Sequence, residues 1–241
     1  MEPAGDRGRE VTQLAGGWTG CPPLPATPLD GRSVRCVPLD SAHAGGLSKA
    51  FSGAVRNWDW LPYGPLDLSG WQGWIDWAKA QPDTIFFTVC PLGTGAPSGI
   101  ASFLRITPAH GVAEIGHLNL APCLQGSRAA TEALTLMMGR VFEAGYRRCE
   151  WKCNAANLAS RRAAQRLGFG FEGVFRQHQV VKGANRDTAW FSVLDGEWPA
   201  LSDAFARWLD DRNFGPDGAQ QTALSAMTRP LLAGRDPALA G

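Results

Sequence analysis

The chain has 241 residues, 44% of them hydrophobic, and a formal net charge of +1 at pH 7. This length fits one large domain, or one domain with extensions, and the apolar content is enough for a packed core. A charge this close to zero argues against nucleic acid and against an anionic membrane as partners, and no apolar run approaches the ~20 residues of a membrane span.

The N-terminus and the cysteines both fit a cytoplasmic protein. The first six residues lack a charged region followed by an apolar stretch, so we expect no signal peptide. The six cysteines form no C-x-x-C pair. Cys149 and Cys153 are the nearest pair, and in a strand they would lie roughly 13 Å apart, too far to share one zinc ion. We therefore expect reduced structural thiols, no metal site and a cytoplasmic location.

Residues 1–32 are rich in Gly and Pro and show little periodicity. They predict an extended or poorly ordered arm, which Trp18 and Leu24 could anchor. Residues 33–39 predict a short first strand, and residues 41–55 a helix with Asp40 or Ser41 as its N-cap.

An aromatic segment follows this helix. The loop 57–65 reads Asn-Trp-Asp-Trp-Leu-Pro-Tyr-Gly-Pro, and Trp71, Trp74 and Trp77 recur beyond it at helical spacing. The helical stripe is expected to pack against the domain or to form a subunit contact, which leaves a homodimer open. The loop combines aromatic side chains with polar groups, which favours a wall over an acceptor substrate.

The rest of the chain alternates strands and helices. A hairpin is predicted from residues 85–90 and 98–106, followed by a central strand over 112–120. The further elements are a helix from about residue 130, a strand over 148–153, a helix within 154–167 that Gly168 ends, strands over 169–176 and 188–194, and a helix over 198–209. Residues 215–241 read as a flexible tail. This order predicts a mixed α/β fold.

The junction between the central strand and the next helix is the most informative stretch. Pro122 ends the strand, and Gln125-Gly126-Ser127-Arg128-Ala129-Ala130 leads into the helix. Small residues there let backbone N–H groups approach a ligand, and a helix N-terminus adds a partial positive charge. The sequence therefore predicts a pyrophosphate-binding loop.

This loop resembles the acyl-CoA-binding loop of the GNAT N-acetyltransferases, whose pattern is Gln/Arg-x-x-Gly-x-Gly/Ala. Ala-Thr-Glu-Ala at 130–133 is similar to the branch of the ribosomal-protein alanine N-acetyltransferases (RimJ/RimL-like). Arg128 stands where the pattern has glycine, so it is either strained in a left-handed conformation or free to contact phosphate from a first helical turn. The resemblance implies a GNAT-type central mixed, mostly antiparallel sheet flanked by helices, an acetyltransferase domain over 33–214, and acetyl-CoA as cosubstrate.

A second block, Asn154-x-x-Asn157-x-x-Ser160, lies at the separation that this family shows. The resemblance implies that an asparagine here binds the pantetheine arm of CoA. It also implies that the central strand diverges from its neighbour near Leu118-Asn119-Leu120, where free backbone groups would pair with pantetheine.

The same helix has a basic side made of Arg161, Arg162 and Arg166. Arg162 and Arg166 are expected to face solvent. Arg161 is either solvated or a contact for the 3′-phosphate of CoA.

Acetyl transfer needs a base for the amine and a proton for the departing thiolate. Glu114 lies where many members carry a glutamate that draws the proton through water, although a partnered carboxylate at a strand end is an equal alternative. His117 titrates in the useful range, but it could also be a hydrogen-bonded core residue. Where many members have a tyrosine acid, this chain has Ala164. Ser160 is then the candidate to hydrogen-bond the departing sulfur, or else an ordinary helix hydroxyl.

The candidate acceptor residues are Trp58, Asp59, Trp60 and Tyr63. One acid among aromatic rings would suit a cationic amine through ion-pair and cation–π contacts, and would suit an anionic acceptor poorly. The expected partner is thus a small-molecule or peptide amine.

Three functions fit these patterns. The first is an acetyl-CoA-dependent N-acetyltransferase acting on a protein N-terminus, an amino acid or a small amine. The second is a non-catalytic acyl-CoA-binding or sensing module, which the missing tyrosine and Arg128 favour. The third, a dinucleotide oxidoreductase, lacks the G-x-G-x-x-G pattern after the strand.

Overall fold

The computed structural model describes residues 17–239, which build an eight-stranded sheet in the order β1-β2-β3-β4-β5-β6-β8-β7. Neighbouring strands are antiparallel except β5 and β6, which are parallel. The strands are β1 Leu29–Asp30, β2 Val34–Pro38, β3 Ile85–Pro91, β4 Gly99–Thr107, β5 Val112–Leu120, β6 Arg148–Asn154, β7 Gly170–Val181 and β8 Ala184–Leu194. The predicted mixed α/β fold with a mostly antiparallel sheet is confirmed.

Helices cover both faces of this sheet. Successive side chains of a strand point to opposite sides, so neighbouring residues of one strand belong to different cores. Phe87 of β3 belongs to the core beneath α3 and α5, whereas its neighbour Phe86 belongs to the core beneath α1 and α2. The α-helices among the described residues are α1 Ala44–Ala50, α2 Leu68–Lys79, α3 Arg128–Glu143, α4 Leu158–Arg166, α5 Trp198–Leu209 and α6 Leu224–Thr228. No helix in the described part of the chain is long and apolar enough to cross a bilayer.

The central strands β5 and β6 separate soon after they meet. They pair at only three positions, which end at Glu114 opposite Glu150. On its other side β5 pairs with β4 through two register shifts, and His117 takes a left-handed backbone with φ of 48°. Such bulges bend a strand and increase its twist. The second half of β5 therefore has no neighbour on the β6 side, and a cleft opens there.

Two local predictions are corrected by the structure. The expected helix over 41–55 is instead a 3-10 turn over Ser41–His43, the short α1, and a second 3-10 turn over Val55–Trp58. Gly53, with φ of 75°, lies in the break between them. Asp40 does cap the first turn, since its Oδ1 accepts from the Ala42 N–H. The last hairpin is longer than predicted, because β7 runs to Val181 and β8 starts at Ala184.

The chain ends are packed where the structure describes them. Of the predicted N-terminal arm, residues 1–16 lie outside the described part. Beyond them Trp18 donates from Nε1 to the Ala109 carbonyl at 2.7 Å, and Leu24 and Leu29 are buried in the core. The predicted flexible tail over 215–241 is wrong for its described residues, because α6 packs on α4 and α5 and buries Leu224.

A buried ion pair fixes the C-terminal segment. Arg161 of α4 donates from Nε to Asp236 Oδ2 at 2.6 Å, and its Nη1 donates to the Ala155 carbonyl at 2.7 Å. The Asp236 side chain is fully buried. Arg161 is thus a structural residue that joins α4 to the chain end, and its guanidinium is not available for the CoA phosphate.

We expect Asp236→Ala to lower the free energy of unfolding by about 3–5 kcal/mol, because it leaves the Arg161 guanidinium buried and unpaired. Urea denaturation of the full chain measures this. Asp203→Ala, which removes an exposed carboxylate of α5, is the matched control and should change stability by less than about 0.5 kcal/mol. Equal stabilities of the two variants would mean that the tail is not docked.

Candidate active site

The cleft between β5 and β6 has a volume of about 350 Å³. Its walls come from the second half of β5, the end of β6, the start of α4, the loop before α2 and the β7–β8 hairpin. The residues that line it include Asn57, Trp60, Arg105, Glu114, His117, Leu118, Lys152, Asn154, Asn157, Ser160, His178, Gln179 and Arg186. The cleft therefore brings together residues from the predicted base, cofactor and acceptor sets.

The outer end of β5 is held by an amide network. Asn57 donates from Nδ2 to Asn119 Oδ1 at 2.9 Å and to the Leu120 carbonyl at 2.7 Å. Gln125 donates to the same carbonyl at 2.8 Å. The Leu120 carbonyl is thus occupied, whereas Leu118 lines the cleft beyond the last position at which β5 pairs with β6. Gln125 fixes the loop through this hydrogen bond, and the contact of Leu118 with pantetheine stays a prediction.

The loop before α3 presents free backbone donors. Ser127 is the N-cap: its Oγ accepts from the Ala130 N–H at 3.0 Å. Gly126 has φ of 70°, which favours glycine. The N–H groups of Gly126, Arg128 and Ala129 have no partner among residues 17–239. This geometry suits an anion at a helix start.

Arg128 is the first residue of α3, so the left-handed alternative is excluded. Its guanidinium does not point freely outward. It donates to Asp211 Oδ1 at 2.7 Å and to the Leu209 carbonyl, and it lies 4.5 Å from the Phe214 ring centroid. The expectation of a free phosphate contact is therefore wrong for this structure, because the segment after α5 already occupies the side chain.

The start of α4 places Ser160 in the cleft. Asn157 caps this helix by accepting from the Ser160 N–H at 3.0 Å, and Asn154 accepts from the Ala156 N–H at 2.9 Å. Ser160 Oγ accepts from Trp151 Nε1 at 3.0 Å. The hydroxyl therefore binds across to β6 instead of back to its own turn, and its proton is left to donate. Further along α4, Arg166 is partly buried: it donates to Thr131 Oγ1 at 3.1 Å and lies over Trp208, so the solvent-facing expectation is wrong for it.

Glu114 is buried at the point where the strands separate. Its Oε2 lies 2.9 Å from Lys152 Nζ and 2.9 Å from Arg105 Nη1. Burial raises the pKa of Glu114, and the two cations oppose that shift. Among the described residues it is the one carboxylate that lines the cleft, and its Oε1 has no partner there. The carboxylate is thus partnered through one oxygen, as one alternative expected, and its role as a base stays a prediction.

His117 is part of an aromatic wall. Its ring stacks on Tyr63 with centroids 5.9 Å apart, and its Nδ1 lies 3.1 Å from the Tyr63 hydroxyl. Phe86 and Trp77 pack around it. Burial, helped by the charge of Arg105, lowers the pKa of His117 to about 4. The imidazole is therefore neutral at pH 7.

The predicted acceptor residues divide into two groups. Trp60 lines the cleft and is 44% exposed. Tyr63 contacts His117, which lines the cleft. Trp58 is only 2% exposed and packs against Phe51 and Trp71, so it is a core residue. Asp59 is exposed and does not line the cleft. The loop is therefore a wall of the cleft while its acid lies outside the cleft, and its contact with an acceptor stays a prediction.

Sequence reasoning missed the basic residues of the cleft, Arg105, Lys152 and Arg186. Lys152 could have been found from the alternation of β6, where Arg148, Glu150 and Lys152 share one face and the cysteines with Trp151 share the other. Arg186 had no such signal, because the length of the last hairpin was underestimated.

Comparisons with known proteins agree with this geometry. Residues 34–170 match the family model described as an acetyltransferase (GNAT) domain. A GCN5-related N-acetyltransferase from Brucella melitensis has 44% sequence identity and a TM-score of 0.86, over 89% of this chain and 99% of that one. A probable GNAT-family acetyltransferase from Chromobacterium violaceum has 42% identity and a TM-score of 0.74, over 83% and 98% of the two chains.

A curated relative adds information about the branch. The ribosomal-protein-serine acetyltransferase of Escherichia coli K12 is 32% identical over 101 residues, which are 41% of this chain. The match spans 56% of that relative, little more than half its length. The similarity agrees with the RimJ/RimL-like resemblance of the loop.

The neutral His117 predicts a pH-dependent stability. The folded ring takes up a proton only near pH 4, whereas an unfolded histidine does so near pH 6.5. The unfolded chain thus binds more protons between these values, so the free energy of unfolding should fall by up to about 3 kcal/mol as the pH drops from about 6.5 to about 4. Above that window the contribution of His117 is fully present.

Urea denaturation at several pH values measures this contribution as the difference between the wild type and His117→Phe. The variant should lose less stability on acidification. His110→Phe, at an exposed position, is the control and should follow the wild type. Parallel curves for the wild type and His117→Phe would refute a neutral, partly buried ring.

Proposed function

The chain belongs to the GNAT acetyltransferase family, and we propose that it transfers the acetyl group of acetyl-CoA directly to a primary amine of an amino acid, a small amine or a protein N-terminus. The observation that carries this proposal is the separation of β5 from β6 at Glu114. It leaves one continuous cleft with an unpaired strand edge on one side and a buried carboxylate at its base.

Acetyl-CoA is the acetyl donor of this family, and the residues present fit it. The open edge of β5 around Leu118 can take the pantetheine arm as an added strand. The free N–H groups of Gly126, Arg128 and Ala129 can take the pyrophosphate. Asn154 and Asn157 line the cleft at the start of α4, although Asn157 Oδ1 already caps α4 and Asn154 Oδ1 accepts from the Ala156 N–H ahead of it.

The thioester supplies the acetyl group. The amine nitrogen forms the new C–N bond to the carbonyl carbon and the C–S bond breaks. Glu114 takes the proton that the amine loses and returns it to solvent, and the departing thiolate takes a proton from solvent. Glu114 is the proposed general base, because its Oε1 is free and burial strengthens its basicity. Lys152 and Arg105 hold the carboxylate in position through its other oxygen.

Ser160 is the proposed donor to the departing sulfur. The Trp151 indole N–H donates to Ser160 Oγ, so this contact leaves the hydroxyl proton available to donate. A serine of ordinary acidity contributes a hydrogen bond here and does not supply the proton itself.

His117 and Tyr63 are the proposed positioning pair on the acceptor side, with Trp60 as the exposed wall. A ring with a pKa of about 4 is a weak base at neutral pH, so His117 is not the primary acceptor of the proton. Its hydrogen bond to Tyr63 fixes the loop 57–65 over the cleft.

The acceptor class and the cell compartment are part of the same proposal. The similarity to a ribosomal-protein-serine acetyltransferase makes a protein N-terminus one candidate acceptor. All six cysteines are free thiols, which supports a reducing cytoplasm. The exposed Trp60 and Trp77 are the surface on which a homodimer contact would be sought.

We expect Glu114→Gln to lower kcat by about 10²–10⁴-fold near neutral pH, since a general base contributes this much. The loss should shrink as the pH approaches the pKa of the amine, because solvent then supplies the free amine. The measurement is CoA thiol release with a mixed panel of amines from about pH 6 to pH 9, with the N-acetyl product identified by mass.

Glu150→Gln is the matched control. It removes the other carboxylate on Lys152 without touching the cleft, and it should keep activity within several-fold of the wild type. A loss in Glu114→Gln that is the same at every pH would contradict the proposed base. Thiol release with no acetylated amine would contradict the proposed function.

A further inference from the structure

The charges around the cleft do not balance. A chain of ion pairs joins Arg105, Glu114, Lys152, Glu150, Arg148 and Glu172. This series of ion pairs contains three cations and three carboxylates, so its charges cancel. Arg186 also lines the cleft and is a fourth cation, for which the cluster offers no further carboxylate. The site therefore carries one excess positive charge, at Arg186.

The Arg186 side chain has no ion-pair or hydrogen-bond partner among the described residues, and its Nε is buried. Burial lowers the pKa of Arg186, with Cys153 and Glu114 opposing the shift. Because a guanidinium stays charged in proteins, this is a half-buried cation with an unsatisfied donor. A buried donor without a hydrogen-bond partner costs free energy, so this group is expected to have an acceptor.

The fold puts Arg186 on the acceptor side of the cleft. It stands opposite Gln179 in the β7–β8 hairpin, and both residues line the cleft. The tip of the same hairpin reaches the acceptor loop, since Lys182 Nζ donates to the Trp58 carbonyl at 2.9 Å. The donor phosphates have a separate site, because the N–H groups before α3 do not line this cleft.

We propose that Arg186 binds a carboxylate of the amine acceptor. The preferred acceptors would then be amines with a nearby carboxylate, such as free amino acids or short peptides with an acidic residue close to the N-terminus. A guanidinium presents parallel N–H donors that match a carboxylate, and Gln179 adds a neutral donor beside it. This assignment rests on the proposed function, and it reverses the sequence-based expectation for the acceptor, because Asp59 lies outside the cleft and Arg186 inside.

The test compares acceptors that have a carboxylate near the amine with matched acceptors that have an amide in its place. Matched pairs are an amino acid and its amide, and the dipeptides Ala-Asp and Ala-Asn. In the wild type, kcat/KM should be higher for the carboxylate member of at least one pair. Arg186→Gln should lower kcat/KM for that member by about 10- to 100-fold and change its amide partner by less than about 3-fold, as expected for a lost charged hydrogen bond. Arg186→Lys should recover part of the loss.

Two controls separate the alternatives. Arg176→Gln changes an exposed arginine of β7 that does not line the cleft, and it should leave the ratio within each pair unchanged. The KM for acetyl-CoA should be the same in Arg186→Gln and the wild type. A raised KM for acetyl-CoA, or an equal loss for both members of every pair, would overturn the assignment, because Arg186 would then serve the donor or the scaffold.

A binding readout keeps the inference independent of turnover. The N-acetyl derivative of the preferred acid should raise the Tm of the wild type more than the corresponding N-acetyl amide, and this difference should vanish in Arg186→Gln. If the difference appears although no amine is acetylated, the anion site stands and the proposed function falls. If amines are acetylated without any preference for the acid, the proposed function stands and the anion site falls.

Discussion

The parting of two parallel strands is the constraint on which the rest of this structure depends. β5 and β6 pair at three positions and then diverge, so half of β5 keeps an unpaired edge inside the molecule. Unpaired backbone groups away from water are costly unless a ligand or another strand satisfies them. Two register shifts against β4, and the left-handed backbone of His117, bend the strand enough to make this opening. The cleft, the open edge and the position of Glu114 all follow from that bend.

Ion pairs connect β4, β5 and β6 at the point where the backbone hydrogen bonds between β5 and β6 end. Glu114 of β5 contacts Arg105 of β4 and Lys152 of β6, so three strands are joined across the opening. Lys152 is buried and also lies 3.7 Å from the Trp190 ring centroid. Buried ion pairs add little net stability compared with an apolar core, but breaking one partner is strongly destabilising. Their value here is positional, because they fix one carboxylate oxygen and leave the other facing the cleft.

Much of the fold could be predicted from local patterns, and the site only in part. The strand β6, the N-cap Asp40 and the glycine that ends α4 are local features, and the structure has them where the sequence predicted. The partners of charged side chains are not local. Arg128 meets Asp211 and Arg161 meets Asp236, more than 70 residues away, so neither contact has a signal in the spacing. The described part of the C-terminal segment is therefore packed and not a flexible tail, and these arginines are structural. Arg186 was missed because the hairpin that carries it was predicted too short.

Hydrogen exchange of the β5 amides is the measurement that tests the central claim most directly. Acetyl-CoA added to the full chain should slow exchange in residues 115–120, since an added chain would pair with the open edge of the strand, and should leave β3 nearly unchanged. Protection confined to other parts of the chain, or no protection at saturating acetyl-CoA, would contradict the assignment of the β5–β6 cleft as the donor site.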